Sequence, residues 1–383
     1  MLTRIYNTLK GKFDDSDVDS HLDYQYIKRQ RLLMSTIGCW PHKQFKNKHY
    51  VAHSMYNILL ISVAFLLPVL EVGYLWQHWR NITFFDFGHD VLCILMAILV
   101  LQRLFLSRTN KYYKMIKMFL FEFHLFYFKE RSQYNAKIYK VIHIVSGMFT
   151  LYVQCLMGLG LILFTFKPWY NNYSRGLLSD NPTANITLEQ AVYYYSPNNF
   201  AYTTKTGYWI LFTANMPLSY FVTCGLCGFD LLVSTIVFQI LGHLQILKHN
   251  LMTIPLPLDV EYGIYSIEEN IQIRRRLKEN IEHHKVIIKF VDKCSDALNE
   301  YSFLFYLVLQ IMCCVLLLEI SAMTSDALAK YGPMTLGMYQ QLVHLSVFFE
   351  LVSTKSAQLI NVVYALPWEC MDTGNRKTVM FLL

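Results

Sequence analysis

Apolar runs long enough to cross a bilayer alternate along this chain with polar stretches that hold nearly all of its Lys and Arg. A membrane helix needs about 20 apolar residues. Six stretches meet that length. They are predicted as helices near 51–76, 86–106, 139–166, 207–241, 300–324 and 334–354. Between the fourth and fifth, the loop 242–299 carries a further helical signal. Ile267, Ile271, Leu277, Ile281 and Ile288 fall in one stripe at helical pitch. Arg274, Arg275, Arg276, Lys278, Glu279 and Glu282 lie off the stripe. An amphipathic helix leading straight into the fifth span needs a neighbouring helix or a partner subunit to cover that stripe.

Charge then orients the spans. Of 34 Lys and Arg, 29 fall in the N-terminal 50 residues, the 103–140 loop, the 242–297 loop and the tail from Lys355. The other side of the expected membrane holds only Arg80, Lys167, Arg175, Lys205 and Lys330. Basic loops stay cytoplasmic, so residues 1–50 are expected inside and the long loop 167–206 outside. Three glycosylation sequons agree with that orientation. They begin at Asn81, Asn172 and Asn185, and all three fall in the expected outer loops. No secretory signal peptide is legible in the acidic opening segment, so the first span is expected to act as its own insertion signal.

Composition changes the picture little. Charged residues make up 16%, against about a quarter in soluble domains, and mean hydropathy is +0.28. The net charge of +7 resides in loops flanking spans, which argues against a nucleic-acid partner. The nine cysteines avoid the expected outer loops, so no extracellular disulfide is expected. Cys224 and Cys227 share the C-x-x-C spacing but sit inside an apolar span without a second ligand pair, and are read as packing. No phosphate loop, H-E-x-x-H or nucleophile elbow occurs. Neither an enzyme, a metal site nor a cofactor is expected. Two acids inside spans invite attention, because charge there is costly. Asp230 is expected to pair with a base or join a polar network between helices, and Glu319 to snorkel toward the interface.

Three stretches then point to one family. Gly38-Cys39-Trp40-Pro41 precedes the first span, IEHHKVIIKFVDKCSDALNEYSFLFYLVLQIMCCVLLLEISAM leads into and fills the fifth, and STKSAQLINVVYALPWECMDTGNRKTVMFLL closes the chain. Together they resemble the insect odorant receptors, the odorant-specific subunits rather than the co-receptor. The signature positions are His284, Ser353, Tyr364 and Trp368, with the basic pair Arg376 and Lys377. The resemblance implies an all-α integral membrane bundle of seven spans that tetramerises with a shared co-receptor. It further implies a cation pore lined by the seventh helix, and a pocket for volatile ligands between spans 2, 3, 4 and 6. In that pocket the expected contacts are Phe87, Val91, Tyr152, Cys155, Leu159, Trp209, Phe212, Thr213, Met216, Tyr339 and Val343. Loop 167–206, with its run Tyr193–Tyr195, is expected to form a lid or vestibule or else a glycosylated cover. The resemblance also implies the plasma membrane of olfactory sensory neurons as the location.

Only 15 residues follow Trp368, too few for another span. Six spans are therefore expected, with the seventh missing and 355–383 leading toward it. On that reading the chain is either an incomplete sequence or a truncated, non-conducting variant. A gustatory-type receptor channel and a G-protein-coupled receptor are the competing readings. The first is disfavoured by the Trp368 region. The second is disfavoured by an inside N-terminus and by the absence of D-R-Y and N-P-x-x-Y motifs.

Overall fold

Backbone groups inside a bilayer find no water, so a spanning chain must satisfy them within itself. The computed structural model describes residues 20–41, 50–178, 187–258, 263–321 and 325–382, and among them it is helical without strands. Its longer helices among the described residues are α1 (Gln25–Thr36), α2 (Tyr50–His78), α3 (Phe84–Leu106), α4 (Asn110–Met118), α5 (Gln133–Ser174), α6 (Lys205–Met252), α7 (Ile267–Ser321), α8 (Ser325–Tyr364) and α9 (Thr373–Leu382). Of the described helices, α2, α3, α5, α6 and α7 are long and apolar enough to cross a membrane. The sixth expected span, 334–354, lies within α8, whose Gln340, Gln341, His344 and Glu350 dilute its hydropathy.

Side chains start these helices where the sequence turns polar. Thr83, Ser132 and Thr204 are extended residues whose hydroxyls accept the backbone N–H of Asp86, Asn135 and Gly207 at 3.0–3.1 Å, opening α3, α5 and α6. At the end of α1, Gly38 takes φ +68°, and the N–H groups of Cys39 and Trp40 fold back onto Met34 O. That left-handed turn is why the Gly of the Gly38-Cys39-Trp40-Pro41 stretch is a glycine. It drives Cys39 into the core, where burial pushes its thiol up to about 11.

Helix α6 is the axis of the bundle. Its most apolar window is 78% buried, against 17% for α5, which leaves most of its surface to lipid. At 48 residues α6 is about 70 Å long, more than twice the roughly 30 Å hydrocarbon layer. Helix α7, at 55 residues, is longer still. Both project past the membrane at the end where the basic residues collect. There α1, α4 and α9 pack around them in one continuous core. His243 of α6 donates through Nε2 to Phe123 O at 2.6 Å, and its Nδ1 lies 2.8 Å from His283 Nε2 of α7. Phe123 and Phe290 stack beside them, with centroids 3.9 Å apart.

Two expectations about this region need correction. The loop helix does run unbroken into the fifth span as α7, but its buried face carries Ile273, Leu277, His283, Ile287 and Phe290. Ile267, Ile271 and Ile288 are exposed, so the stripe read by hydropathy alone is rotated from the face that packs. Polar Asn270 and His283 are buried there with partners on neighbouring segments, and Asn280 is buried as well. Glu319 does not snorkel. It is 1% exposed and lies against α3 at Gly88, where the missing side chain leaves room for a carboxyl.

Close approach of α3 and α6 depends on Gly225. A Cβ there would meet Val100 at 2.9 Å, whereas one at Gly158 on α5 would meet nothing within 4 Å. Gly225→Val is expected to destabilise the bundle by about 1–3 kcal/mol through overpacking, lowering its thermal midpoint in detergent. Gly158→Ala is expected to leave that midpoint unchanged or slightly raised.

Candidate functional site

Beneath the long loop the helices do not close completely. Between α2, α3, α5, α6 and α8 lies a cavity of about 280 Å³, the size of a small ligand pocket. Its walls are apolar: Met96 from α3, Phe149, Leu156 and Phe164 from α5, Leu218 and Val222 from α6, and Met334 and Met338 from α8. Gly160 of α5 and Gly337 of α8 also border this space, and a Cβ on either would meet nothing within 4 Å.

The roof is the loop. Val192 and Tyr194 border the cavity directly. The loop is pinned to the bundle by polar contacts a long way apart in sequence. Tyr195 N–H donates to Leu70 O on α2 at 2.8 Å, His89 Nε2 on α3 donates to Ala191 O at 2.9 Å, and Asn215 Nδ2 on α6 donates to Val192 O at 3.3 Å. The Tyr202 hydroxyl accepts from Tyr194 N–H and donates to Tyr194 O, at 2.8 and 2.7 Å. Burial pushes the phenols of Tyr193 and Tyr202 well above the usual tyrosine range, so both remain protonated donors. A smaller hollow of about 20 Å³ under Glu189, Gln190 and Ala191 shares Leu163, Phe164, Lys167 and Met334 with the main cavity.

The floor is polar. Asp230, Gln341 and His344 border the cavity, and Asp230 is bound from two sides. Arg103 of α3 reaches its Oδ1 through Nη2 at 2.9 Å, and the Gln341 amide of α8 donates to Oδ2. Arg103 Nη1 also donates to Gly225 O at 2.9 Å and to Leu226 O. The guanidinium sits 4.8 Å from the Phe305 ring of α7 and 5.4 Å from Phe229. One ion pair thus ties four helices together beneath the cavity.

Among the expected contacts, Leu159 lies on the wall and the others do not. Tyr152, Cys155, Trp209, Thr213 and Val343 are exposed on the outside of the bundle. Phe212 and Met216 pack with Leu188 and Tyr208 under the loop. Phe87, Val91 and Tyr339 are also off the wall. The four chosen helices all line the cavity, but through other faces: Val153 and Leu156 on α5, Cys93 and Met96 on α3, Met338 and Gln341 on α8. Two contributions were not anticipated, Glu71 from α2 and Cys227 from the C-x-x-C pair. Glu71 was legible as a lone acid inside an apolar span.

The signature positions lie elsewhere. Ser353 and Tyr364 are exposed, Trp368 is 37% exposed, and His284 is half-buried beside the fully enclosed His283. Asn81 is exposed. Asn172 is 1% exposed, and its amide donates to Glu189 O and accepts from Glu189 N–H, at 2.8 and 3.0 Å. A glycan does not fit there in the folded chain. Asn185 lies outside the described residues.

Comparison with known proteins turns this architecture into an identification. The 7tm Odorant receptor family model matches residues 90–383. This chain belongs to that family. Its fold is that of the insect olfactory receptor OR5 from Machilis hrabei, with a TM-score of 0.74 at 14% identity over 94% of this chain and 87% of that one. The same receptor in complex with eugenol superposes with a TM-score of 0.71 at 14% identity and the same coverage. No curated protein sequence matches. The odorant receptor family is one of membrane-spanning receptors and not of enzymes. This odorant receptor is an all-α integral membrane bundle with an apolar cavity between its helices.

The floor of the cavity generates a stability prediction. Removing one partner of a buried ion pair strands the other, at about 3–5 kcal/mol. Arg103→Met and Asp230→Leu are each expected to lower the thermal midpoint sharply. The double variant is expected to recover much of the loss, read as a double-mutant cycle.

Proposed function

We propose that this odorant receptor is the ligand-binding subunit of a cation channel, that it works in a hetero-tetramer with an odorant co-receptor, and that small volatile organic molecules open the channel by occupying the cavity. The observation that carries this reading is the cavity of about 280 Å³ walled by five helices and roofed by a pinned loop. A neighbour of the same fold was solved with the small molecule eugenol. A ligand shifts a gating equilibrium only by binding one state better than the other. This cavity is built from helices that the Arg103–Asp230 junction ties to α7 and α8.

The charge distribution supports a cytoplasmic N-terminus, with the loop over the cavity facing outward. Exposed Ile267, Ile271, Tyr364, Met380 and Phe381 at the basic end supply apolar surface for partner subunits. The membrane is that of the olfactory sensory neuron.

Cells expressing this chain with a co-receptor are expected to pass odorant-evoked cation current that persists when G-protein signalling is blocked. Loss of the current under that block overturns direct gating. Filling the cavity provides the decisive control. Gly160→Phe and Gly337→Phe add a ring at positions that border the cavity, where a Cβ meets nothing within 4 Å. Each is expected to cut odorant responses at least tenfold while surface expression stays normal; an unchanged response removes the cavity from the mechanism.

Orientation has its own test. Endoglycosidase digestion is expected to shift the mass of the wild-type chain and of Asn172→Gln alike. Asn81→Gln is expected to lose a glycan.

A further inference from the structure

The apolar cavity has one acid on its wall that the bundle leaves unanswered. Glu71 lies on α2 at the loop end of the cavity, next to Leu70, whose carbonyl anchors Tyr195. Its side chain is almost fully enclosed, at 3% exposure, and Oε2 has no hydrogen-bond partner. Lys167 also borders the cavity, but no ion pair joins it to Glu71. Asp230, the other acid on the walls, differs in kind because Arg103 and Gln341 already occupy both of its oxygens.

A buried polar group left without a partner costs free energy, and a buried carboxyl costs more than most. Asp230 shows what the fold does with an acid whose role is structural: it supplies a guanidinium and an amide. Glu71 receives neither. It instead borders a cavity large enough for a small molecule. A carboxyl in that setting gains most from a guest that brings its own donor, since the new hydrogen bond forms where water does not compete.

We propose, building on the reading of this cavity as the ligand site, that it selects small apolar molecules bearing a hydrogen-bond donor, a hydroxyl or an amine, and seats that donor on the Glu71 carboxyl. The hydrocarbon part of the guest lies along Leu156, Phe164 and Met338. A molecule of equal size with only an acceptor, such as an ether, brings no donor to either carboxyl oxygen, so that need of Glu71 goes unmet. Rejection of the acceptor-only molecule follows from polar groups left unpaired, the strongest basis for discrimination between near-isosteres.

The test uses the full chain purified in detergent and titrated with octanol, its isomer heptyl methyl ether, octylamine and nonane, with binding followed by thermal shift at known free ligand concentration. Octanol and octylamine are expected to bind about tenfold or more tightly than the ether, the scale of one buried hydrogen bond to a charged or acidic group. Glu71→Leu is expected to bring the octanol-to-ether ratio close to one while nonane binds as before. Glu71→Gln, which keeps an accepting carbonyl in the same shape, is expected to retain part of the preference and guards against misfolding of the leucine variant. A wild-type ratio near one, or a preference that survives Glu71→Leu, overturns the assignment while leaving the cavity as the ligand site. Absence of binding by all four molecules removes the cavity reading and this proposal together.

Discussion

A guanidinium from α3 placed on a carboxylate of α6, within an apolar bundle, sets the geometry that the rest of this receptor inherits. Isolated charges in such surroundings are costly. The Arg103–Asp230 pair therefore cannot separate, slide or rotate far without losing much of the stability of the fold. Around it the chain supplies the conditions for contact. Gly225 lets α3 approach α6, the Gly225 and Leu226 carbonyls accept from the guanidinium, Phe229 and Phe305 cover it, and Gln341 completes the carboxylate. With α3, α6, α7 and α8 fixed at this depth, the helices splay above it and leave the cavity open.

The two ends of the bundle are consequently different materials. Toward the basic end α6 and α7 run on beyond hydrocarbon depth and are packed on several sides by α1, α4 and α9, with the His243–His283 contact inside. Toward the loop end, polar contacts from α2, α3 and α6 and two small apolar clusters, around Val192 and around Leu188, hold a roof made of loop backbone. Polar groups mark both limits of the cavity, Glu71 near the roof and Asp230 at the floor. The floor acid is fully engaged by protein, and the one near the roof is not.

Much of the fold was legible because membrane helices obey a rule of length and composition that acts one residue at a time. Five of the six expected spans fall inside observed helices, and 300–324 does so as far as Ser321, residues 322–324 lying outside the described residues; the polar residues that open α3, α5 and α6 stand where the sequence turns from loop to apolar run. The link between the loop helix and the fifth span was legible too, since no breaker interrupts the helical pattern from Ile267 onward. The cavity was legible only as a choice of helices. Tyr152, Cys155 and Val343 point outward while Val153, Leu156 and Gln341 point inward. A lipid-facing surface and a ligand-facing surface are made of the same apolar residue types, so hydropathy carries no phase information in a membrane helix.

What the sequence determined by itself was the class of protein. It set the helical spans, their alternation with basic loops, the exclusion of enzymatic machinery and a resemblance to odorant receptors carried by short motifs near the two ends of the bundle. Tertiary structure alone decided which side of each helix faces which neighbour. It buried Glu319 and Asn172, exposed Ile267 and Ile271, paired Arg103 with Asp230 across 127 positions, and brought Glu71 of the first span into the cavity. The physical reason is that the first set of properties depends on transfer from water to lipid, which sums over single residues. The second depends on contacts between residues far apart in the chain, and those exist only once the helices have packed.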